Sequence, residues 1–339
     1  MRLFHSRRFV LSLLVTGALL TPTHADAGQV SCQDLYFPVS LLLTGQTVHG
    51  HLCAPAGAHT LLVLIPGGTY NDSYWDIGYT PEIRSFRLAM NNAGYATLAV
   101  DRLGTGQSSK PLSALLSATA QAAAVHQVIQ AVRAATMTPR FAKVIVGGHS
   151  IGSEMAVIEA GTYHDVDGVL TTGMTHKMVL TNVATVLANM IPSDLDPRLG
   201  IEGLDPGYLT TSTGTRYQDF HTPGPYDAGA IAYDESTKDV FSITEAPDTT
   251  VYTTLIDPLS AQITVPVMDV VGDDPNYCGP PLGSDCSSPA TLATSEAPFY
   301  PLAASVHAYV LHGYGHAINY APNAPDYFNQ VITWLGQFG

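Results

Sequence analysis

Basic side chains are scarce in this sequence. Fourteen lysines and arginines stand against 28 aspartates and glutamates, a formal net charge of −14. A surface this acidic excludes a role that rests on neutralising phosphates, so no nucleic acid is expected as a partner. Its plain reading is solubility outside the cell. Cysteines are also few, with four in 339 residues. No Cys-x-x-Cys or His-rich spacing accompanies them, which speaks against a zinc site, and no metal is expected. Four cysteines admit three pairings. Cys32–Cys53 and Cys278–Cys286 each close a local loop, and these are the disulfides expected of a chain in an oxidising compartment. Internal repeats and low-complexity tracts are absent. The apolar run Phe9–Leu20 is short for a membrane span, which needs about 20 residues. Arg2, Arg7 and Arg8 precede it and Ala25-Asp26-Ala27 follows, so residues 1–27 read as a signal peptide. The expectation is a secreted protein, extracellular or periplasmic, starting at Gly28, with no stable membrane insertion. Cleavage makes it more acidic still, because three arginines and one aspartate leave. Oligomeric state leaves no mark on the sequence.

The most telling segment is Gly148-His149-Ser150-Ile151-Gly152. It follows an apolar run, Lys143–Gly147, and precedes a helix-prone stretch, Ser153–Ala160. Strand, sharp turn and helix are the context in which G-x-S-x-G places a serine hydroxyl at the rim of a sheet. Other elements repeat the alternation. Leu35–Leu43 and Gln46–Cys53 read as a hairpin. Thr60–Ile65, Tyr95–Val100, Gly168–Thr172, Ile263–Gly272 and Ser305–Leu311 read as further strands, the apolar ones buried on both faces. Helices are expected over Pro81–Asn92, Leu112–Ala135 and Pro325–Phe338. This rhythm implies an α/β fold, a mostly parallel sheet with helices on both faces. It breaks after Gly173. Residues 174–262 are rich in Pro, Gly, Thr, Tyr and Asp, with a short helical piece near Met178–Met190. They read as a lid inserted between a first core part, 28–173, and a second, 263–339.

A serine hydroxyl is a weak nucleophile, so Ser150 needs a base, and the base needs an orienting acid. The order in such a fold is serine, acid, histidine. Asp273 and Asp274 both follow the Ile263–Gly272 strand, where catalytic groups gather at the carboxyl ends of strands. For the base, His316 in its Gly-His-Ala context is preferred to His312 at the strand end and to His176. The backbone N–H of Ile151 is one candidate oxyanion donor. The second falls in the loop Gly67-Gly68-Thr69, with Gly68 first, because glycine permits close approach of the backbone. Tyr70, Tyr74 and Trp75 follow that loop and are candidate substrate-binding residues at the cleft mouth, with packing between lid and core as the plain alternative.

Taken together, Pro66-Gly67-Gly68, Asp101-Arg102-Leu103-Gly104-Thr105-Gly106, Gly148-His149-Ser150-Ile151-Gly152, Val265-Pro266-Val267-Met268 and Gly315-His316 resemble the α/β-hydrolase superfamily. The resemblance covers nearly all of the chain after residue 27. It is greatest to secreted fungal and actinobacterial hydrolases of poorly defined substrate, which also place an aspartate four residues before a cysteine, as Asp274 stands before Cys278. The resemblance thus implies Ser150, Asp274 and His316 as nucleophile, acid and base. One departure is Pro66 where the family's oxyanion loop usually carries histidine. A serine rather than a carboxylate nucleophile implies acyl chemistry on a small-molecule ester, lactone or thioester, with no metal or organic cofactor required. The alternatives are a peptidase or amidase, an acyltransferase, or a hydrolase-fold binding protein without activity.

Overall fold

The computed structural model describes residues 29–250 and 259–339; the expected signal peptide lies outside these residues. In chain order the elements are β1 (Val30–Leu41), β2 (Thr44–Pro55), β3 (Thr60–Ile65), α1 (Pro81–Arg84), α2 (Phe86–Asn92), β4 (Ala96–Val100), α3 (Ala118–Arg133), β5 (Lys143–His149), α4 (Ile151–Tyr163) and β6 (Gly168–Thr172). There follow α5 (Leu180–Ala188), β7 (Met190–Pro192), β8 (Tyr208–Thr211), α6 (Ala228–Thr237), β9 (Phe241–Ser242) and α7 (Glu245–Thr250). The chain closes with β10 (Val267–Gly272), α8 (Pro289–Glu296), β11 (Val306–Leu311) and α9 (Ala324–Leu335).

One eight-stranded sheet runs in the order β1-β2-β4-β3-β5-β6-β10-β11. The six strands from β4 to β11 are parallel, and β2 joins them antiparallel through β4. Burial follows from this arrangement. Every residue of β3, β4, β6 and β10 is buried, as expected where helices cover both faces. Alternate residues of β3 serve opposite cores. Leu61, Val63 and Ile65 pack with Val125, Val128 and Val132 of α3 and with α4, whereas Leu62 and Leu64 pack with Met90 of α2 and Val331 of α9.

Element boundaries differ from the sequence expectation where a side chain captures a backbone group. The single helix expected over Pro81–Asn92 is two, broken at Ser85, whose hydroxyl accepts the Leu88 N–H and starts α2 afresh. The helix expected from Leu112 begins at Ala118, because Ser117 caps it by accepting the Ala120 N–H. The stretch between β6 and β10, two adjacent strands of the main sheet, carries a separate three-stranded antiparallel sheet, β7-β8-β9. The Cys32–Cys53 disulfide crosses directly opposed residues of β1 and β2. The Cys278–Cys286 disulfide closes the loop after β10. Among the described residues, no helix is long and apolar enough to cross a membrane.

Candidate active site

Ser150 occupies the turn from β5 into α4 with φ 54° and ψ −129°, a conformation that costs a non-glycine residue energy and is kept only where its surroundings enforce it. The enforcement is visible. The Ser150 N–H donates to the Thr172 carbonyl at 2.8 Å, and the Ser153 hydroxyl bridges the carbonyl and N–H of the same residue, each at 2.9 Å. The flanking glycines are required by contact. A Cβ on Gly148 would stand 2.1 Å from the Gly152 carbonyl oxygen, and one on Gly152 would stand 2.5 Å from the carbonyl oxygens of Ile65 and Pro66. The motif is therefore a close crossing of three backbones, and the serine is the residue left facing outward.

Asp274 and Asp273 part company just beyond β10. Asp274 is fully buried; one oxygen stands 2.6 Å from Nδ1 of His316, and the other accepts the Asn276 N–H at 2.9 Å. Asp273 pairs with the exposed His312 at 2.8 Å and accepts the Gly313 N–H. His176 lies elsewhere, with its ring nitrogens against Glu296 at 2.7 Å and Ser260 at 2.8 Å. The His316 ring is sandwiched loosely among Tyr277, Phe220 and His149. Ser150 and His316 line the same cavity of about 250 Å³. His149, directly before the serine, is stacked on Tyr74 with ring centroids 4.2 Å apart. Burial, and after it the nearness of His316, push its pKa well down, so His149 is a neutral floor for the site.

Gly68 and Ile151 also line this cavity. Ile151 is the first residue of α4, where the helix leaves its N–H groups unpaired. The Gly68 N–H makes no hydrogen bond among the described residues. Two buried arginines hold the Gly67–Tyr70 turn in place. Arg102 donates to the Gly67 carbonyl at 3.1 Å while pairing with Glu245, and Arg216 donates to the Thr69 hydroxyl at 3.0 Å while pairing with Asp234. Glu245, Arg216 and Asp234 all lie between β6 and β10, so that segment sets the position of the turn.

Tyr70, Tyr74 and Trp75 do not line the cavity, and the role of substrate contact expected for them is corrected. All three are buried, with at most 2% exposure. The 3₁₀ turn at Asp72–Tyr74 turns Tyr74 and Trp75 inward, where Trp75 packs edge-on against Phe86, and Tyr70, ahead of that turn, lies under the Arg216 guanidinium at 4.4 Å. The cavity wall is built instead by Met178, Val183, Val186 and Leu187 on or beside α5, together with Phe220 and Phe241. No residue of α5 is fully buried, and Leu180 and Leu187 are 60% and 44% exposed.

Two polar residues in the cavity escape the sequence reading. Glu154 is one helical turn beyond Ser150 on α4 and nearly fully buried; the four-residue spacing was the available signal. Tyr277 stacks on His316 and its hydroxyl interacts with Ser150 and Glu154. Burial foremost, then the charges of Glu154 and Asp274, drive its pKa well above the usual phenol value, so it remains a proton donor. No signal in the sequence marked it.

The sequence matches the Alpha/beta hydrolase family over residues 62–330. No curated protein matches. Among solved structures, the carboxylesterase CesB from Bacillus subtilis is similar, with a TM-score of 0.57 at 16% identity, covering 91% of this chain and 93% of that one. A thermophilic esterase from Thermogutta terrifontis gives a TM-score of 0.54 at 14% identity over 90% of this chain and 98% of that one. GrgF, an alpha/beta hydrolase from Penicillium sp. sh18, gives 0.55 at 16% identity over 91% and 98%. At such identities the likeness is one of fold.

Proposed function

This chain belongs to the alpha/beta hydrolase family, and on that premise we propose that it is a secreted serine hydrolase that cleaves carboxylic esters with an apolar acyl part. The observation that carries the reading is the meeting of Ser150 with an Asp274-paired His316 on the wall of one apolar cavity. The Ser150 oxygen attacks the ester carbonyl carbon while its proton passes to Nε2 of His316. Asp274 accepts the Nδ1–H and balances the imidazolium. The N–H groups of Ile151 and Gly68 receive the oxyanion, each such donor lowering the barrier by about 3–4 kcal/mol. His316 returns the proton to the departing alcohol, leaving an acyl-enzyme. Water then gives a proton to His316 and attacks the acyl carbon, and the serine is restored as the acid leaves.

Tyr277 positions this machinery, with its ring fixing the face of His316 and its hydroxyl fixing the Ser150 side chain. The apolar wall from α5, Phe220 and Phe241 accepts a hydrocarbon chain, and residues 174–262 serve as the lid that supplies it. The two disulfides support an oxidising, extracytoplasmic location.

The test is hydrolysis of p-nitrophenyl esters by the purified protein. Butyrate and longer acyl chains should be cleaved with higher kcat/KM than acetate, and Ser150→Ala should abolish turnover. An undiminished rate in that variant refutes the reading.

A further inference from the structure

About 13 Å along the α4 axis from Ser150, the carboxylate of Glu159 lies fully buried against α3. No described N–H or hydroxyl group donates to either of its oxygens, and one oxygen of Asp165 is buried without a donor as well. Between them stands His126 of α3, with Nδ1 2.9 Å from Asp165 and 3.5 Å from Glu159. Donor atoms of the three residues all fall within 4.8 Å of one another. The neighbouring groups are already engaged. Arg133 donates to the Asp165 carbonyl and the Asp167 carboxylate, and Gln130 donates to Asp165. With Gln130 and Arg133 so engaged, both oxygens of Glu159 and one of Asp165 converge beside His126 without a donor of their own, a placement that a divalent cation would satisfy.

We propose that His126, Glu159 and Asp165 bind a divalent transition-metal ion, Zn²⁺, which fastens α4 to α3. An imidazole with two carboxylates is a donor set for zinc, whereas calcium and magnesium take oxygen throughout. Ligands about 2.1 Å from a tetrahedral ion lie about 3.4 Å apart, and the present separations bracket that figure. Side-chain adjustments of about an ångström then close the site around an ion of that size. The His126 ring is already oriented by face-to-face stacking on Tyr163, centroids 3.7 Å apart, the kind of outer support that fixes a metal-binding imidazole. His126 and Asp165 are partly exposed, which gives the ion a route in and a water the fourth position. None of the three residues lines the Ser150 cavity, so the ion is structural.

The experiment is calorimetric titration of chelator-treated, tag-free protein with ZnCl₂, paired with thermal unfolding. The expected result is one ion per chain and a rise in Tm, with binding at least tenfold weaker in both Glu159→Gln and His126→Ala. His126→Ala should keep the wild-type rate of ester cleavage. Glu159→Gln is nearly isosteric and, without metal, should melt no lower than wild type, so its loss of binding would not be a loss of fold. The proposal is overturned if wild type binds no zinc, if both variants bind it as well as wild type does, or if CaCl₂ binds in preference. The readout is heat of binding, so its failure is distinct from a failure of the hydrolase reading.

Discussion

Replacing Asp274 by asparagine tests the site at its most constrained bond. The carboxylate is fully buried, holds Nδ1 of His316 at 2.6 Å, and is itself fixed by the Asn276 N–H at 2.9 Å. Asparagine fits the space but brings an amide NH₂. If its oxygen serves Asn276, its NH₂ faces His316 and drives the imidazole proton onto Nε2, the nitrogen that must be free to take the Ser150 proton. If its oxygen instead serves His316, the negative charge that balances the imidazolium is still gone. Loss of tautomer control and charge together should lower kcat about 10³- to 10⁴-fold, or about 4–5.5 kcal/mol, the scale known for such a change in a serine protease. Asp273 is the internal control. It is 36% exposed and its partner His312 is 56% exposed, and such a surface pair contributes less than about 1 kcal/mol. Asp273→Asn should therefore stay within about twofold of wild type. The assay is kcat/KM on p-nitrophenyl butyrate, with Tm measured for each variant. An Asp274→Asn enzyme close to wild type, or an Asp273→Asn enzyme crippled to the same degree, would refute the reasoning.

Tyr277→Phe keeps the ring on His316 but removes the hydroxyl from Ser150. It should lower kcat about tenfold, the cost of roughly one net hydrogen bond, with little change in Tm, and an unchanged kcat would deny Tyr277 a positioning role. Burial would raise the pKa of Asp234, but Arg216 and His221 outweigh it and hold it at about 2. A carboxylate depressed in the folded state adds stability above its unfolded pKa and loses it on acidification. Urea unfolding should show about 2 kcal/mol lost between pH 4 and pH 2 that an Asp234→Asn variant does not lose; parallel pH curves would exclude it. Removing the Cys278–Cys286 bridge with two serines opens a loop with a sequence separation of 8. It should cost about 2–3 kcal/mol by loop entropy and reduce kcat, since Tyr277 directly precedes Cys278, whose N–H donates to the Asp274 carbonyl at 2.8 Å. Full activity in the double-serine protein would contradict the coupling.

Much of the fold was legible because parallel strands covered on both faces must be apolar throughout, as Thr60–Ile65 and Gly168–Thr172 are. The glycines of the Ser150 motif were legible for a different reason, since their lack of a side chain is a steric demand that the structure shows at Gly148 and Gly152. Helix limits at Ser85 and Ser117 were not, because serine reads alike inside a helix and at its cap until the captured N–H is known. Order along the chain singled out the candidates for acid and base, but which of Asp273 and Asp274 reaches His316 rests on burial, which adjacent identical residues do not reveal. Tyr70, Tyr74 and Trp75 read as cleft residues because they follow a candidate oxyanion loop; tertiary packing buries all three. The cavity wall joins segments far apart in sequence, and the cluster joins His126 of α3 to Glu159 and Asp165 near the end of α4; neither carries a motif. Only tertiary packing assembles them.

Covalent trapping of the nucleophile tests the central claim most directly. The purified protein would be treated with a fluorophosphonate and digested, and its peptides mapped by mass spectrometry. The expected result is one adduct per chain, located on Ser150, absent in Ser150→Ala and formed much more slowly in His316→Ala. An adduct on another residue, or folded wild-type protein that takes up none, would contradict the assignment of Ser150 as the attacking group.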